Sequence, residues 1–173
     1  MDRFDDCLAK GRLKKIESEP EKAAQELRSS IEELERSRVR YGGGNWADAS
    51  TQGYFAIYRA ARAALYSRGY RDTNLYGLCA GLQRLFVDTE EMPAESIDML
   101  KDAKEIKDVI YEGGRSSRHE SRQVLLAAQL FVKRVLKALA LPDFDPESVE
   151  ITLPEVSERH RDRPPFPRDS FER

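Results

Sequence analysis

Hydrophobic positions recur every three or four residues along most of the chain, and this spacing predicts helices. The first long stripe lies between residues 21 and 41, with Glu and Arg at most intervening positions; its members are Ala24, Leu27, Ile31, Leu34 and Arg38. Similar stripes predict helices over residues 45–68, 74–87, 93–112 and 117–141. No run before residue 141 alternates apolar and polar side chains as a half-buried strand does. The pattern therefore predicts an all-α, up-and-down bundle of about five helices.

Glycines and capping residues mark the ends of these helices. Three glycines at residues 42–44 end the first long helix, and Asn45 is the expected N-cap of the next. Gly69 follows that helix directly, where a glycine commonly ends one. Ser117 and Glu120 have the spacing of a capping box, which predicts the start of the last helix.

Segments of different character flank the bundle. The leader, residues 1–20, has apolar residues at helix-compatible intervals and is interrupted by Gly11, so we expect a short helix or a helix pair. Residues 142–173 hold six of the eight prolines and nine acids against five arginines. We expect this acidic tail to be irregular, with one short extended piece against the bundle. The predicted organisation is a leader (1–20), a helical bundle (21–141) and a tail (142–173).

The composition limits the class of protein. A length of 173 residues suits one domain with appendages. The chain has 29 Lys and Arg against 31 Asp and Glu, so the whole molecule is not an obvious binder of polyanions. No apolar run approaches the roughly 20 residues that a membrane span needs. We expect a cytoplasmic protein with no membrane partner, in which Cys7 and Cys79 are free thiols.

Residues 49–71 differ from the rest of the chain. They contain four arginines, five aromatic residues and no acid. The alanines of this segment are strong helix formers. Bulky residues recur every four positions, and these are Tyr54, Tyr58, Arg62, Tyr66 and Tyr70. The pattern predicts a helix with one close-packing alanine side and one bulky side that carries a local positive charge.

The sequence of residues 54–71, YFAIYRAARAALYSRGYR, resembles the central helix of HEPN domains. These are small helical proteins often encoded beside minimal nucleotidyltransferases. The similar features are an aromatic-aromatic-Ala step, an Ala-Ala-Arg-Ala run and a Gly-Tyr exit. The resemblance extends over residues 21–141 and implies a HEPN-like bundle that forms a symmetric homodimer.

The chain departs from the family at two places where catalysis is expected. Active HEPN ribonucleases resemble one another in an Arg followed, after four to six residues, by a His that exchanges a proton with the RNA 2′-hydroxyl. Here only three residues separate Arg115 from His119, and no arginine stands at the required interval before His160. Where relatives carry Ser/Thr-His after the central helix, this chain has Thr73-Asn74, and asparagine cannot exchange a proton near neutral pH.

The resemblance and the missing motif together favour a non-catalytic HEPN-like binding component. Such a chain would partner a nucleotidyltransferase in a toxin-antitoxin or nucleotide-handling system. One alternative is a metal-independent endoribonuclease with a degenerate site formed by Arg115 and His119. Another is a helical scaffold that binds a protein through its tail.

Arginines are the candidate ligands for phosphates of a nucleotide or RNA. The expected binding residues are Arg59, Arg62, Arg68, Arg71 and Arg118. The alternative is that these arginines pair with acids of neighbouring helices or form a subunit interface. The histidines and cysteines have no metal-ligand spacing, so we expect no metal and no cofactor.

Overall fold

The computed structural model describes residues 2–157, and these residues form an all-α bundle with one small sheet. The helices are α1 Arg3–Ala9, α2 Pro20–Gly42, α3 Trp46–Ser67, α4 Leu75–Leu82, α5 Glu95–Tyr111 and α6 Arg118–Leu139. A π-helical turn, Gln83–Val87, continues α4, and a 3₁₀ turn, Pro146–Ser148, follows α6. Two strands, β1 Leu13–Lys15 and β2 Tyr70–Asp72, form the sheet. The predicted helical bundle is confirmed.

The central helix of the bundle is α3, which contacts α2, α4, α5 and α6. Its alanine side is fully buried and includes Ala56, Ala60 and Ala64. Small side chains let neighbouring helices approach closely. At Gly53 the approach is so close that a Cβ atom would lie 2.7 Å from Val124 Cγ1 of α6.

The face of α2 that packs on α3 contains serines as well as apolar residues. Ser30 Oγ donates a hydrogen bond to the Ala56 carbonyl at 2.6 Å, and Ser37 Oγ donates to the Ala49 carbonyl at 2.7 Å. The buried positions of α2 are Ala23, Leu27, Ser30, Leu34, Ser37 and Tyr41. The predicted stripe is partly displaced, since Ala24 is only half-buried. A serine can occupy the buried face because its hydroxyl is satisfied by a backbone carbonyl.

Of the two alternatives predicted for the leader, it forms the short helix, α1, and not a helix pair. After α1 and the left-handed Gly11 (φ +67°), residues 13–15 form β1, which pairs antiparallel with β2. Gly69, also left-handed (φ +80°), turns the chain after α3 so that β2 lies beside β1, and the Ile16 N–H donates to the Gly69 carbonyl at 2.9 Å. The sequence did not predict β1, because a strand of three residues is too short to show alternating apolar and polar positions. We call the pair of strands the ribbon.

The start of α6 has the predicted capping box. Ser117 Oγ accepts from the Glu120 N–H, and a Glu120 carboxylate oxygen accepts from the Ser117 N–H, each at 3.1 Å. Asn45 precedes α3 as predicted but does not cap it through its side chain. Its amide instead donates to Asp48 Oδ2 at 2.9 Å.

Residues 142–157 pack against the bundle. Val149 and Val156 are buried. Gln129 Nε2 of α6 donates to the Thr152 carbonyl at 2.7 Å, and the Ser157 N–H donates to the Gly42 carbonyl at 3.0 Å. The segment beyond residue 141 is therefore part of the packed structure up to Ser157, while residues 158–173, with His160, lie outside the described residues.

Both cysteines are buried and neither forms a disulfide; they lie in α1 (Cys7) and α4 (Cys79). Burial raises the pKa of each thiol. Within residues 2–157, no helix combines the length and the apolar character that crossing a bilayer requires.

A substitution of Gly77 tests how the ribbon is held. A Cβ atom at Gly77, in the first turn of α4, would lie 2.0 Å from the Arg12 carbonyl oxygen, and this backbone atom cannot move aside. We expect Gly77→Ala to lower the free energy of unfolding by about 2 kcal/mol in urea titrations. This loss exceeds the gain of about 1 kcal/mol that alanine brings to a helix interior.

The matched control is Gly43→Ala. Gly43 is exposed, and its Cβ would have its nearest neighbour at 3.5 Å. Its free energy of unfolding should stay within about 0.5 kcal/mol of the original chain. A Gly77→Ala chain as stable as the original would show that α4 does not approach the ribbon so closely.

Candidate functional site

The bulky side of α3 carries a row of aromatic and cationic side chains. The rings of Tyr54 and Tyr58 stack with their centroids 6.0 Å apart. Arg62 follows, with its guanidinium carbon 5.5 Å from the Tyr58 ring centroid and 5.4 Å from that of Tyr66. The four-residue spacing brings these side chains together on one side of the helix. We call Tyr54, Tyr58, Arg62 and Tyr66 the tyrosine–arginine row.

Lys107 of α5 extends the row beyond Tyr54. Its Nζ lies 5.2 Å from the Tyr54 ring centroid and 4.7 Å from that of Tyr111. Lys107 Nζ also lies 2.9 Å from Asp108 Oδ1. The Tyr111 side of this arrangement faces solvent, because that residue is 63% exposed.

Arg62 joins three segments of the fold. Its Nε lies 3.3 Å from Asp72 Oδ1 of β2, and its Nη1 lies 3.7 Å from Glu26 Oε1 of α2. Its Nη2 donates to the Tyr66 hydroxyl at 2.6 Å. Arg59 Nη1 lies 3.5 Å from the other Glu26 oxygen, so both arginines share that carboxylate.

The environment of the row shifts several pKa values. Burial raises the pKa of Asp72, whose side chain is 4% exposed, and the positive charge of Arg62 opposes this shift. Burial also raises the pKa of Tyr54 and of Tyr58. Burial lowers the pKa of Arg62, but Tyr58 and Asp72 are among the neighbours that raise it by more, so its net shift is upward. Clusters of such shifted groups mark candidate functional sites.

The chemistry of the row suits binding better than acid–base catalysis. Tyrosines with raised pKa values keep their protons at neutral pH, and so does an arginine. Asp72 is nearly inaccessible and is paired with Arg62. Neither these tyrosines nor Arg62 is poised to exchange a proton near pH 7.

A cleft of about 240 Å³ opens beside Arg59 and Tyr66, between α2 and α3. Its other lining residues are Lys22, Gln25, Glu26 and Ser29. Within the described part of the chain, the buried Nε of Arg59 has no hydrogen-bond partner.

The five arginines predicted to bind phosphate do not lie in one groove. Arg59 and Arg62 pair with Glu26 on the α2 side of α3. Arg68 lies elsewhere: it forms an ion pair with Glu91 and donates to the Leu85 carbonyl at 3.2 Å. These three arginines thus make the contacts with neighbouring carboxylates that the sequence left open as an alternative.

Arg71 and Arg118 occupy two further places. Arg71 lies in β2 and is exposed. Arg118 begins α6, and its guanidinium carbon is 5.8 Å from the ring centroid of Trp46, at the start of α3.

The Arg115–His119 pair also lies at the start of α6, where both residues are exposed. Ser116, which follows Arg115, shares a hydrogen bond of 2.7 Å with Ser50 of α3. Since Ser50 precedes Arg62 by 12 residues, the two are about 18 Å apart along the helix axis. His119, the only histidine among residues 2–157, is therefore remote from the tyrosine–arginine row.

Sequence reasoning found the row but missed its partners. Glu26 lies between predicted core positions of α2, and Asp72 lies in a strand that the sequence did not predict. The four-residue spacing of the tyrosines was the available signal, and it could not identify an acid brought in from another segment. Among residues 2–157, no three His, Cys, Asp or Glu side chains come together as metal ligands would.

Comparisons with known proteins do not assign the chain. No model of a known protein family matches it, and no curated protein matches it. The HEPN resemblance therefore depends on residues 54–71 alone.

Removing the charge of Arg62 tests the importance of its ion pairs. The Arg62→Gln chain leaves Asp72 buried without its cation, so we expect the free energy of unfolding to fall by about 2 kcal/mol at pH 7. This expected loss of stability is smaller than that for a fully buried ion pair, because the Arg62 side chain is 25% exposed. Urea titrations at several pH values measure the loss.

The same loss should depend on pH. The pKa of Asp72 is already raised in the folded chain, and it rises further without Arg62. When the pKa of a carboxyl group is higher in the folded chain than in the unfolded chain, the free energy of unfolding is largest below the unfolded pKa. It falls as the pH rises through the pKa of the folded chain, because the buried group must then ionise. The destabilisation should therefore shrink towards pH 4.

Arg36→Gln is the matched control. Arg36 is 57% exposed and pairs with Glu33 at 3.3 Å on the surface of α2. Its replacement should change the free energy of unfolding by no more than about 0.5 kcal/mol at either pH. Equal losses for the two variants would mean that Arg62 is an ordinary surface arginine.

Proposed function

We propose that this chain is a HEPN-like binding component without catalytic activity, which partners a nucleotidyltransferase in a toxin-antitoxin or nucleotide-handling system. One observation carries the non-catalytic part: the tyrosine–arginine row has no group that exchanges protons near neutral pH. The histidine nearest to the family's motif, His119, is exposed at the start of α6. The partnership itself comes from the family that α3 resembles.

The position of α3 supports this family assignment. Most of the segment that resembles the HEPN central helix, residues 54–67, lies in the 22-residue α3, which contacts the other long helices of the bundle. Its alanines are buried and its tyrosines pack with Arg62, as a central helix of this composition requires. The resemblance further implies a homodimer, which sedimentation equilibrium of the purified chain would measure.

The first test is the recovery of the partner. We expect affinity capture of the tagged full chain from its source cell to recover a nucleotidyltransferase, identified by mass spectrometry. An unrelated tagged helical protein captured from the same cells is the control. Recovery of this chain alone, or of other proteins only, would count against the partnership.

The second test is RNA cleavage without metal ions. We expect labelled single-stranded RNA to stay intact with the original chain and with His119→Ala, because the tyrosine–arginine row among residues 2–157 offers no acid–base pair. Cleavage by the original chain that is lost in His119→Ala, at unchanged melting temperature, would instead establish the ribonuclease alternative. Gel electrophoresis of the RNA measures the outcome.

The scaffold alternative needs a narrower deletion than the whole tail. Removing residues 142–173 would strip Val149 and Val156 from the core and would destabilise the bundle. Removing residues 158–173 leaves the described contacts of the tail in place. A protein partner lost on this shorter deletion, with the melting temperature unchanged, would favour the scaffold.

A further inference from the structure

The outward face of the ribbon sets two cations directly opposite each other. In the register of the strands, Leu13 faces Asp72 and Lys14 faces Arg71. Leu13 and Asp72 are buried, whereas Lys14 and Arg71 are exposed, so the alternation of the strands sends the two cations outward. Like charges in this position destabilise a sheet. A sheet of two short strands has little to offset that cost.

An exposed aromatic ring lies against Arg12, the residue that precedes β1. Tyr76, in the first turn of α4, is 47% exposed. The guanidinium carbon of Arg12, just before β1, is 5.1 Å from its ring centroid, and that of Arg3 in α1 is 5.7 Å away. Two arginines therefore contact one ring that remains accessible to solvent.

The charges of this region are not balanced by its acids. Five cations have no carboxylate within 4.0 Å among residues 2–157: Arg3, Arg12, Lys14, Lys15 and Arg71. Three acids of the same segments are already paired: Asp2 with Arg84, Asp6 with Lys10 and Asp72 with Arg62. Asp5 and Glu17 remain, which leaves an excess of three positive charges in a chain whose net charge is −2.

The backbone around these residues is fixed by hydrogen bonds. The Thr73 N–H donates to the Arg12 carbonyl at 3.0 Å, and Thr73 Oγ1 donates to the Gly11 carbonyl at 2.8 Å. The absence of a side chain at Gly77 lets α4 abut the Arg12 carbonyl. A ligand would meet a preorganised surface and would not have to order it.

We infer that this face, formed by Arg3, Arg12, Lys14, Arg71 and Tyr76, binds single-stranded nucleic acid. Phosphates neutralise the opposed Lys14 and Arg71, which removes the repulsion within the ribbon. The Tyr76 ring with its arginines offers a base a surface on which to stack. The inference does not depend on the proposed nucleotidyltransferase partnership.

The surface fits a nucleic acid better than an anionic membrane. A membrane-bound surface combines its cations with exposed apolar side chains that enter the lipid. Of the large apolar residues that are exposed among residues 2–157, Tyr76 is the one on this face; the others are Val39, Val109, Tyr111 and Ile151.

Fluorescence anisotropy with the full chain tests the inference. The probes are labelled 12-nucleotide oligouridylate and oligothymidylate, and we expect the chain to bind them with salt-dependent affinity. Arg71→Gln should weaken binding about fivefold at 0.1 M salt and reduce the slope of log K against log salt by about 0.7, the value for one phosphate contact. Its melting temperature should equal or exceed that of the original chain, because a repulsion is removed.

A second variant and a control separate stacking from overall charge. Tyr76→Leu should weaken binding by at least about fivefold, the lower limit for loss of a stacked base, without changing the salt slope. Arg40→Gln makes the same charge change in the last turn of α2, about 30 Å along that helix from the end nearer the ribbon. Its affinity should stay within about twofold of the original chain.

Three results would overturn the inference. One is the absence of binding to either oligonucleotide at about 100 µM protein, where even non-specific binders are detected. Another is an equal loss of affinity in Arg71→Gln and Arg40→Gln, which would indicate a diffuse effect of charge. The third is binding to phosphatidylserine vesicles but not to the oligonucleotides. None of these three results bears on the proposed nucleotidyltransferase partner, which the affinity capture tests separately.

Discussion

The partly buried charge of Arg62 is a constraint on how several segments of this fold are placed. A guanidinium withdrawn from water needs anionic or aromatic partners close by. Arg62 takes them from three segments: Glu26 of α2, Asp72 of β2, and Tyr58 and Tyr66 of its own helix. Arg62 therefore links both α2 and the ribbon to α3, in addition to the buried face through which α2 packs on α3.

The ribbon shows how one strand can serve stability and binding together. Asp72 points inward and neutralises Arg62, while its neighbour Arg71 points outward beside Lys14. Because successive side chains of a strand alternate between its faces, Asp72 and its ion pair lie on the inner face, and the opposed Lys14 and Arg71 lie on the outer face. The inner ion pair and the contacts of Thr73 with residues 11 and 12 hold a ribbon that its own hydrogen bonds would scarcely stabilise.

The helices were predictable because their signals are local. Apolar spacing located the long helices, and the Ser117 capping box located the start of α6. The ribbon was not predictable, because β1 spans three residues and pairs with a segment 57 residues further along the chain. The tyrosine–arginine row was visible as a spacing, whereas Asp72 reaches it only through that long-range pairing. The arginines were predicted to bind together because they are close in the sequence. Each residue of a helix turns by about 100°, however, so Arg68 points away from Arg62.

A double-mutant cycle tests most directly whether the Arg62–Asp72 pair holds the ribbon to α3. The free energies of unfolding of Arg62→Gln, Asp72→Asn and the double variant would be compared with that of the original chain at pH 7. We expect a coupling energy of about 2 kcal/mol, because Arg62→Gln leaves the buried Asp72 without its cation and Asp72→Asn leaves Arg62 with Glu26 as its one carboxylate, whereas the double variant removes both charges. Additive effects, with coupling near zero, would show that the two residues act independently and would contradict this account.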